Sequence, residues 1–393
     1  MPAPNRVTYI GLAHSRRGAV RFGIRETDRL AHIYIIGKTG TGKSTLLLSM
    51  AAQDLASGQG VFLLDPHGDL AEALYGLALR SGRTDVRYWN VPDPDSGFGY
   101  NPLRHVRADK IPLAVSGLLD AFKKYWSDAW GVRMEHVLRN ALYALIEQRG
   151  SVLSDILRLL SEKEYRRSCA LHLTNEPVKT FWLREFPAYS DRYRIDSIAP
   201  IQNKVGAFLA DPVLNRILTK PADDIHLRRL MDEGGVLILN LAKGRIGEDS
   251  ANLLGSLMIA TLNVAAFSRA DIGSGERRPF YVYIDEFHSF TTSSIASMAS
   301  ELRKYGVGMA LANQHLHQLD PDIRHGVLGN AGTLISFRVG TEDAVILSRE
   351  FMPVFQAGDL LTLPNHWIYL KLLVDGMPTA PFSATTLPSP TLP

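Results

Sequence analysis

The sequence predicts an α/β fold: a mostly parallel β-sheet core that opens with an N-terminal β-hairpin and carries an inserted all-α domain. Three observations predict it. A glycine-rich segment, Gly37-Lys38-Thr39-Gly40-Thr41-Gly42-Lys43-Ser44, sits between a short apolar run at 32–36 and a helix-forming stretch at 45–53. Apolar runs of strand length recur at 61–65, 236–240, 280–284, 307–312 and 333–339, the pattern of parallel strands covered on both faces. From about 111 to 230 those runs vanish, and apolar residues recur at helical spacing, as Val137, Leu138, Ala141, Leu142, Leu145 and Ile146 do.

Taken in order, residues 7–12 and 19–24 are two strands joined by a turn around His14-Ser15-Arg16-Arg17-Gly18. The glycine-rich loop, its helix and the strand 61–65 follow, and Pro66-His67-Gly68 turns the chain into a helix from Asp69. Val86-Arg87-Tyr88-Trp89 is a third strand of the core, leading into a Pro, Gly and Asp-rich loop through Asn101. After the helical stretch the core resumes with the strand 236–240, a long helix at 249–269 and the strand 280–284. Strands 307–312 and 333–339 flank a helix near 322–328, and 367–374 reads as a final edge strand. The tail from Ser383, rich in Pro, Thr and Ser, is expected to be poorly ordered. The predicted domains are thus a first part of the core at 1–110, an all-α insertion at 111–230, a second part of the core at 231–382 and a flexible tail at 383–393.

The glycine-rich segment is a complete phosphate-binding loop in the setting such a loop needs. Its glycines let backbone N–H groups close around phosphate oxygens, and the following helix N-terminus adds partial positive charge. Gly37, Lys38, Thr39, Gly40, Thr41, Gly42, Lys43, Ser44 and Thr45 are the predicted nucleotide-binding residues. Lys43 would reach the terminal phosphates and Ser44 would ligate Mg²⁺. The strand 280–284 carries Asp285 to the sheet edge, where it would hold Mg²⁺ through water. Glu286 stands one residue further out, suited to polarise a water against the terminal phosphate of ATP. That acid pair favours hydrolysis over a kinase reaction, and no Leu-Ser-Gly-Gly-Gln segment precedes it, which disfavours an ABC-type transporter. Gln314 ends the next strand, where the carboxyl ends of parallel strands meet in one crevice, so it is a phosphate sensor or a strand-ending turn. Arg303, in Ser300-Glu301-Leu302-Arg303-Lys304-Tyr305-Gly306, is either a cation favoured by a helix C-terminus or an arginine finger for a neighbouring subunit. Arg338, emerging from an apolar strand, is the rival candidate.

Composition narrows the setting. The chain has 393 residues, 46% hydrophobic and 21% charged, with a formal charge of +3, which argues neither for nor against nucleic acid. Cys169 is the single cysteine, so no internal disulfide forms, and a reducing cytoplasmic setting is expected. No secretory signal opens the sequence, and the apolar stretch 253–267 is broken by Ser256, Thr261 and Asn263 and reads as a buried helix too short and polar to span a bilayer.

The phosphate loop, Asp65-Pro66-His67-Gly68-Asp69, Ile284-Asp285-Glu286-Phe287, Arg303-Lys304-Tyr305-Gly306 and Ala312-Asn313-Gln314 together resemble the HerA/FtsK superfamily. Within it the chain looks most like the TraG/TraD-type coupling ATPases of conjugation and type IV secretion. The resemblance covers nearly the whole chain. It implies a RecA-like P-loop NTPase core with an inserted all-α domain, a homohexameric ring, and movement of DNA or DNA-bound protein. It implies Glu286 as the catalytic acid, Gln314 as the phosphate sensor and Arg303 as a finger supplied in trans. It also implies a relaxase or secretion-machinery partner at the inner face of the membrane. Membrane-anchored members carry transmembrane helices before this core, which are not seen here, so a soluble HerA-like DNA-processing translocase stays open. For His67 no chemical role is assigned, and packing beneath the nucleotide is the other reading.

Two stretches are candidates for touching DNA. Lys243-Gly244-Arg245 follows a core strand in a glycine-containing loop, and Lys123-Lys124-Tyr125-Trp126, with Trp130 and Arg133, mixes basic and aromatic groups as stacking platforms do. Burial in a helical core is the alternative for the aromatic residues. Besides a DNA translocase, the sequence leaves open a secretion ATPase for protein substrates, or a module that recruits cargo while hydrolysis gates assembly.

Overall fold

The computed structural model describes residues 6–16, 18–126, 130–219, 225–292 and 301–390. It divides into two compact units, one of Met1–Asn90, Arg228–Lys243 and Arg269–Pro393, the other of Val91–Leu227 and Gly244–Ser268.

The first unit holds the sheet. Its strands are β1 (Val7–Ser15), β2 (Gly18–Arg25), β3 (Ile33–Ile36), β4 (Gly60–Asp65), β5 (Val86–Asn90), β6 (Val236–Asn240) and β7 (Phe280–Ile284). They continue with β8 (Val307–Asn313), β9 (Thr333–Ser336), β10 (Trp367–Lys371), β11 (Leu373–Val374), β12 (Met377–Pro378) and β13 (Phe382–Thr386). Eleven of them form one sheet in the order β2-β1-β13-β10-β9-β3-β8-β7-β4-β6-β5, and β11 pairs with β12 separately. From β9 to β5 the pairing is parallel. From β2 to β9 it is antiparallel.

Two expectations change here. Residues 382–386 are a strand, not part of a loose tail, and they cover β10, which is therefore interior; the edges are β2 and β5. The Pro and Thr-rich composition hid a period-2 pattern in which Ala384 and Thr386 point inward and are buried. Residues 391–393 lie outside the described residues, as does Arg17 of the first turn.

Every residue of β3, β4, β6, β7, β8 and β9 is buried. Alternate residues build the core on one face: Ile33 and Ile35, Val61 and Leu63, Val236 and Ile238, Ala310 and Ala312. Against them pack Leu46, Leu47, Met50 and Ala51 of the helix Lys43–Ala56, and Leu70, Ala71 and Leu74 of the helix Asp69–Arg80. A charged cluster is sealed into the same unit. Arg29 donates to both carboxylate oxygens of Asp54, at 2.7 and 2.9 Å, and to the Tyr283 hydroxyl at 2.7 Å. Tyr283 in turn donates to Asp54, and the Arg29 guanidinium lies 3.7 Å over the Tyr281 ring. Burial works against the Arg29 charge, but Asp54, Tyr283 and Tyr281 together more than offset it, so the guanidinium is held well above its ordinary range.

The second unit is helical, but its limits differ from those expected. It starts at Val91 and takes in the helix Glu248–Ser268, which the sequence had placed with the core. That helix is apolar around most of its circumference, so it needs cover on every side. The Tyr100 hydroxyl donates to Leu257 O at 2.8 Å, and Gly117 of the helix Ile111–Tyr125 leaves room for Ala260, whose Cβ would stand 3.2 Å from a glycine-to-alanine methyl. Among the described residues this helix, through Asp271, is long and apolar enough to cross a membrane by length and composition, and 78% of its apolar window is buried. Trp126 is fully buried, stacked on Phe122 and Phe208, and the Trp130 indole donates to Glu135 at 2.8 Å. Trp126 is therefore core, because a tryptophan in a helical domain gains more from burial than from display, whereas Tyr125 and Trp130 are half-buried. Cys169 is buried and burial pushes its thiol up, as befits packing rather than chemistry.

Candidate nucleotide-binding site

Parallel pairing in register brings the carboxyl ends of five strands together. Ile36 of β3 pairs with Asn313 of β8, Leu64 of β4 with Ile284 of β7, and Asp65 with Asn240 of β6. The polar residues that end these strands therefore collect at one edge, where an open α/β sheet binds its ligands.

The phosphate loop leaves β3 at that edge. Gly37 N donates to Asn313 O at 3.2 Å and Lys38 N to Arg338 O at 2.9 Å, which stitches the loop to the strands on both sides. Two glycines are obligatory for different reasons. Gly42 has φ 120, outside the range of L side chains, and a Cβ at Gly37 would stand 2.5 Å from the Phe337 Cβ. The helix Lys43–Ala56 begins there, with its first N–H groups facing a cavity of about 250 Å³.

Thr39, Gly40, Gly42, Lys43, Ser44 and Thr45 line this cavity. Gly37, Lys38 and Thr41 belong to the same loop but do not line the cavity, and the Thr41 hydroxyl donates to Lys38 O at 2.7 Å. Lys43 Nζ donates to Gly37 O at 2.7 Å and to Lys38 O at 3.3 Å. Burial pushes the Lys43 ammonium down, against the opposing charges of Asp285 and Glu286.

From the other side come Asp285, Glu286 and Gln314. The Ser44 hydroxyl donates to Asp285 Oδ2 at 2.9 Å, so the two predicted Mg²⁺ ligands touch. Burial raises the Asp285 carboxyl, opposed by that hydrogen bond. Glu286 sits at φ 45, an uncommon conformation for a non-glycine residue, and its N–H donates to Asp285 Oδ1 at 2.9 Å. Gln314 Nε2 donates to Glu286 Oε1 at 2.7 Å. Glu286 Oε2 is buried and accepts no hydrogen bond among the described residues, with His288 Nδ1 3.4 Å away. An orphaned buried carboxylate oxygen is costly, and strained backbone with such an oxygen is what a working site retains.

The Asp65-Pro66-His67-Gly68 turn is built by its own acid. Asp65 is buried and accepts from His67 N and Ala71 N, both at 2.9 Å. His67 itself is exposed and lines the cavity. His366, missed in the sequence, also lines the cavity; its N–H donates to Thr41 O at 2.8 Å and its φ is 66. No motif marks it, because only the return of β10 through the sheet brings it there.

The remaining predicted residues lie elsewhere. Arg303 is exposed on a short 3₁₀ turn, Leu302–Tyr305, and opens onto a separate cavity; Ser300 lies outside the described residues. Arg338 donates to Leu363 O at 3.0 Å and to Asn365 Oδ1 at 2.9 Å, so its partners are in its own chain. Lys243 and Arg245 lie in a helical turn, Lys243–Ile246, and not in an open loop. Lys243 N donates to Pro66 O at 2.7 Å within the sheet unit, whereas Arg245 belongs to the helical unit.

The family model "Helicase HerA, central domain" matches residues 15–261. No curated protein matches the chain. Among solved structures, the plasmid coupling protein TrwB in complex with the ATP analogue ADPNP superposes with a TM-score of 0.67 at 16% identity, covering 98% of this chain and 95% of that one. TrwB in complex with ADP and Mg²⁺ gives 0.66 at 17% identity, covering 93% and 87%. VirB4 of Thermoanaerobacter pseudethanolicus gives 0.66 at 14% identity, covering 98% of each. At these identities the likeness is one of fold.

Proposed function

The chain belongs to the helicase HerA central-domain family, and from that premise we propose that it is an ATP-hydrolysing motor whose subunits form a ring and move DNA or DNA-bound protein. The observation that carries the ATPase reading is the closed constellation of Lys43, Ser44, Asp285, Glu286 and Gln314 around one cavity. The DNA reading is supported by the family and by the fold shared with the conjugative coupling protein TrwB.

The loop N–H groups and Lys43 bind the triphosphate. Ser44, and Asp285 through water, would hold Mg²⁺, which neutralises charge developing on the phosphate oxygens. Glu286 orients the attacking water and takes its proton on Oε2, while Gln314 fixes the carboxylate through Oε1. Gln314 thereby couples Glu286 to the terminal phosphate. Arg303, which does not line the nucleotide cavity of its own subunit, is the group supplied to a neighbour.

Steady-state ATP turnover with and without single- and double-stranded DNA, at low and moderate salt, tests the reading. Strong salt-sensitive stimulation is expected, because backbone phosphates dominate such contacts. Turnover that depends on Glu286 yet ignores DNA would instead point to protein cargo. The trans assignment has its own test. Arg303→Ala alone should slow turnover by roughly a thousandfold, and mixing it with Lys43→Ala subunits should restore activity. No restoration in proven mixed rings would remove Arg303 from that role.

A further inference from the structure

The cavity onto which Arg303 opens is larger than the nucleotide cavity, at about 770 Å³, and lies wholly within the sheet unit. Ala31 and Gly332, which precede β3 and β9, line it, so it sits at the amino edge of the strands whose carboxyl edge holds the phosphate loop. Arg324 comes from the helix Pro321–Asn330, Arg349 and Glu350 from the helix Thr341–Phe351, and Lys371 from β10. Glu350 accepts from Lys371 Nζ at 2.5 Å. Arg303, Arg324 and Arg349 make no ion pair and no side-chain hydrogen bond among the described residues. Arg29 and Arg228, by contrast, are paired, with Asp54 and Asp271.

We propose that this cavity binds a compact polyphosphate anion, at a site separate from the phosphate loop, with Arg303, Arg324 and Arg349 gripping it. Three guanidiniums line one concavity whose one lining carboxylate, Glu350, is paired with Lys371, and they raise the local potential and concentrate anions there. Their planar forks match phosphate oxygens in pairs, and none has to be released from an internal partner first. The volume exceeds what one phosphate needs and suits a multiply charged group. Burial on all sides, which would make unpaired cations prohibitive, does not apply, since Arg303 and Arg349 are exposed. The phosphate groups come either from nucleotide held by a second copy of this chain, a source that rests on the ring reading above, or from a nucleic acid strand.

The test uses the full chain carrying Lys43→Ala, which silences the phosphate loop, with inorganic tripolyphosphate as the titrant at moderate salt. Retained binding that weakens roughly tenfold or more on adding Arg324→Ala and Arg349→Ala is expected. Binding indifferent to both changes, or absent before them, overturns the proposal. Arg349→Glu alone, at an exposed position, serves as the second variant, and an unchanged melting temperature shows that the fold is intact. With Lys43 restored, the double variant tells the sources apart. Slowed turnover with unchanged oligonucleotide binding identifies the neighbour's nucleotide, and the reverse identifies a nucleic acid strand. Loss of tripolyphosphate binding with neither changed still supports the site and leaves a free anion as its ligand. Failure of DNA stimulation in the wild-type chain would leave the tripolyphosphate result standing.

Discussion

Glu286→Gln is expected to slow ATP turnover by about a hundredfold or more while leaving nucleotide affinity and melting temperature near their wild-type values. The argument rests on which interactions the substitution keeps. Gln314 Nε2 donates to Oε1 at 2.7 Å, and a glutamine carbonyl in that position accepts the same bond. The φ of 45 and the N–H bond to Asp285 belong to the backbone and persist. What disappears is the second carboxylate oxygen, which is buried and accepts no hydrogen bond among the described residues. An amide there cannot take a proton from water. On the proposed assignment the loop and Lys43, which also line the cavity, set the affinity, so it should hold. Phosphate release under single-turnover conditions, beside titration with a fluorescent ATP analogue, separates the two quantities. Turnover at the wild-type rate would strip Glu286 of its assignment, and equal loss of binding would make it a structural group.

The parts of this site that could be read from the sequence are those made by adjacent residues. A phosphate loop between an apolar run and a helix is local, and so is a buried strand that ends in Asp285-Glu286. Their meeting needed only the rule that parallel strands share a carboxyl edge. What escaped was made by distant segments. His366 reaches the cavity because β10 is held between β9 and β13, and β13 was hidden in a segment whose composition resembles a tail. The helix Glu248–Ser268 reads equally well as core helix of either unit, because an all-round apolar surface does not say which neighbours cover it. The basic cavity joins Arg303, Arg324 and Arg349 from three elements with no sequence pattern in common. Unpaired charge is a property of the folded surroundings, so no motif announces it.

Asp54→Asn is expected to lower the stability of the sheet unit by about 3–5 kcal/mol. Asp54 is fully buried, and its two oxygens face Arg29, while Arg6 approaches one of them at 3.1 Å. An amide in its place leaves the buried Arg29 charge uncompensated and offers an N–H where a guanidinium already donates. Converting the whole cluster, in Arg29→Met with Asp54→Leu and Tyr283→Phe, should lose much less, because no fully buried charge or hydroxyl is left unpaired and the stems are replaced by packing atoms. That contrast separates a buried ion pair from a mere volume effect. Urea unfolding, with amide exchange across Phe280–Ile284 reporting on the sheet unit, measures both variants. A loss below about 1 kcal/mol for Asp54→Asn would place the pair among weak surface bridges. The pair also bears on catalysis. Asp54 lies in the last turn of the helix whose first turn carries Ser44, and Tyr283 lies two residues before Asp285 on the same strand. The helix is thus tied to β7 at both ends, by Ser44 to Asp285 and by Asp54 to Tyr283. Loosening the far tie lets the near one drift, and drift of a fraction of an ångström between a Mg²⁺ ligand and its partner is enough to slow phosphoryl transfer. Asp54→Asn should therefore reduce turnover at temperatures well below its unfolding transition, whereas a purely global stability defect would leave turnover intact there.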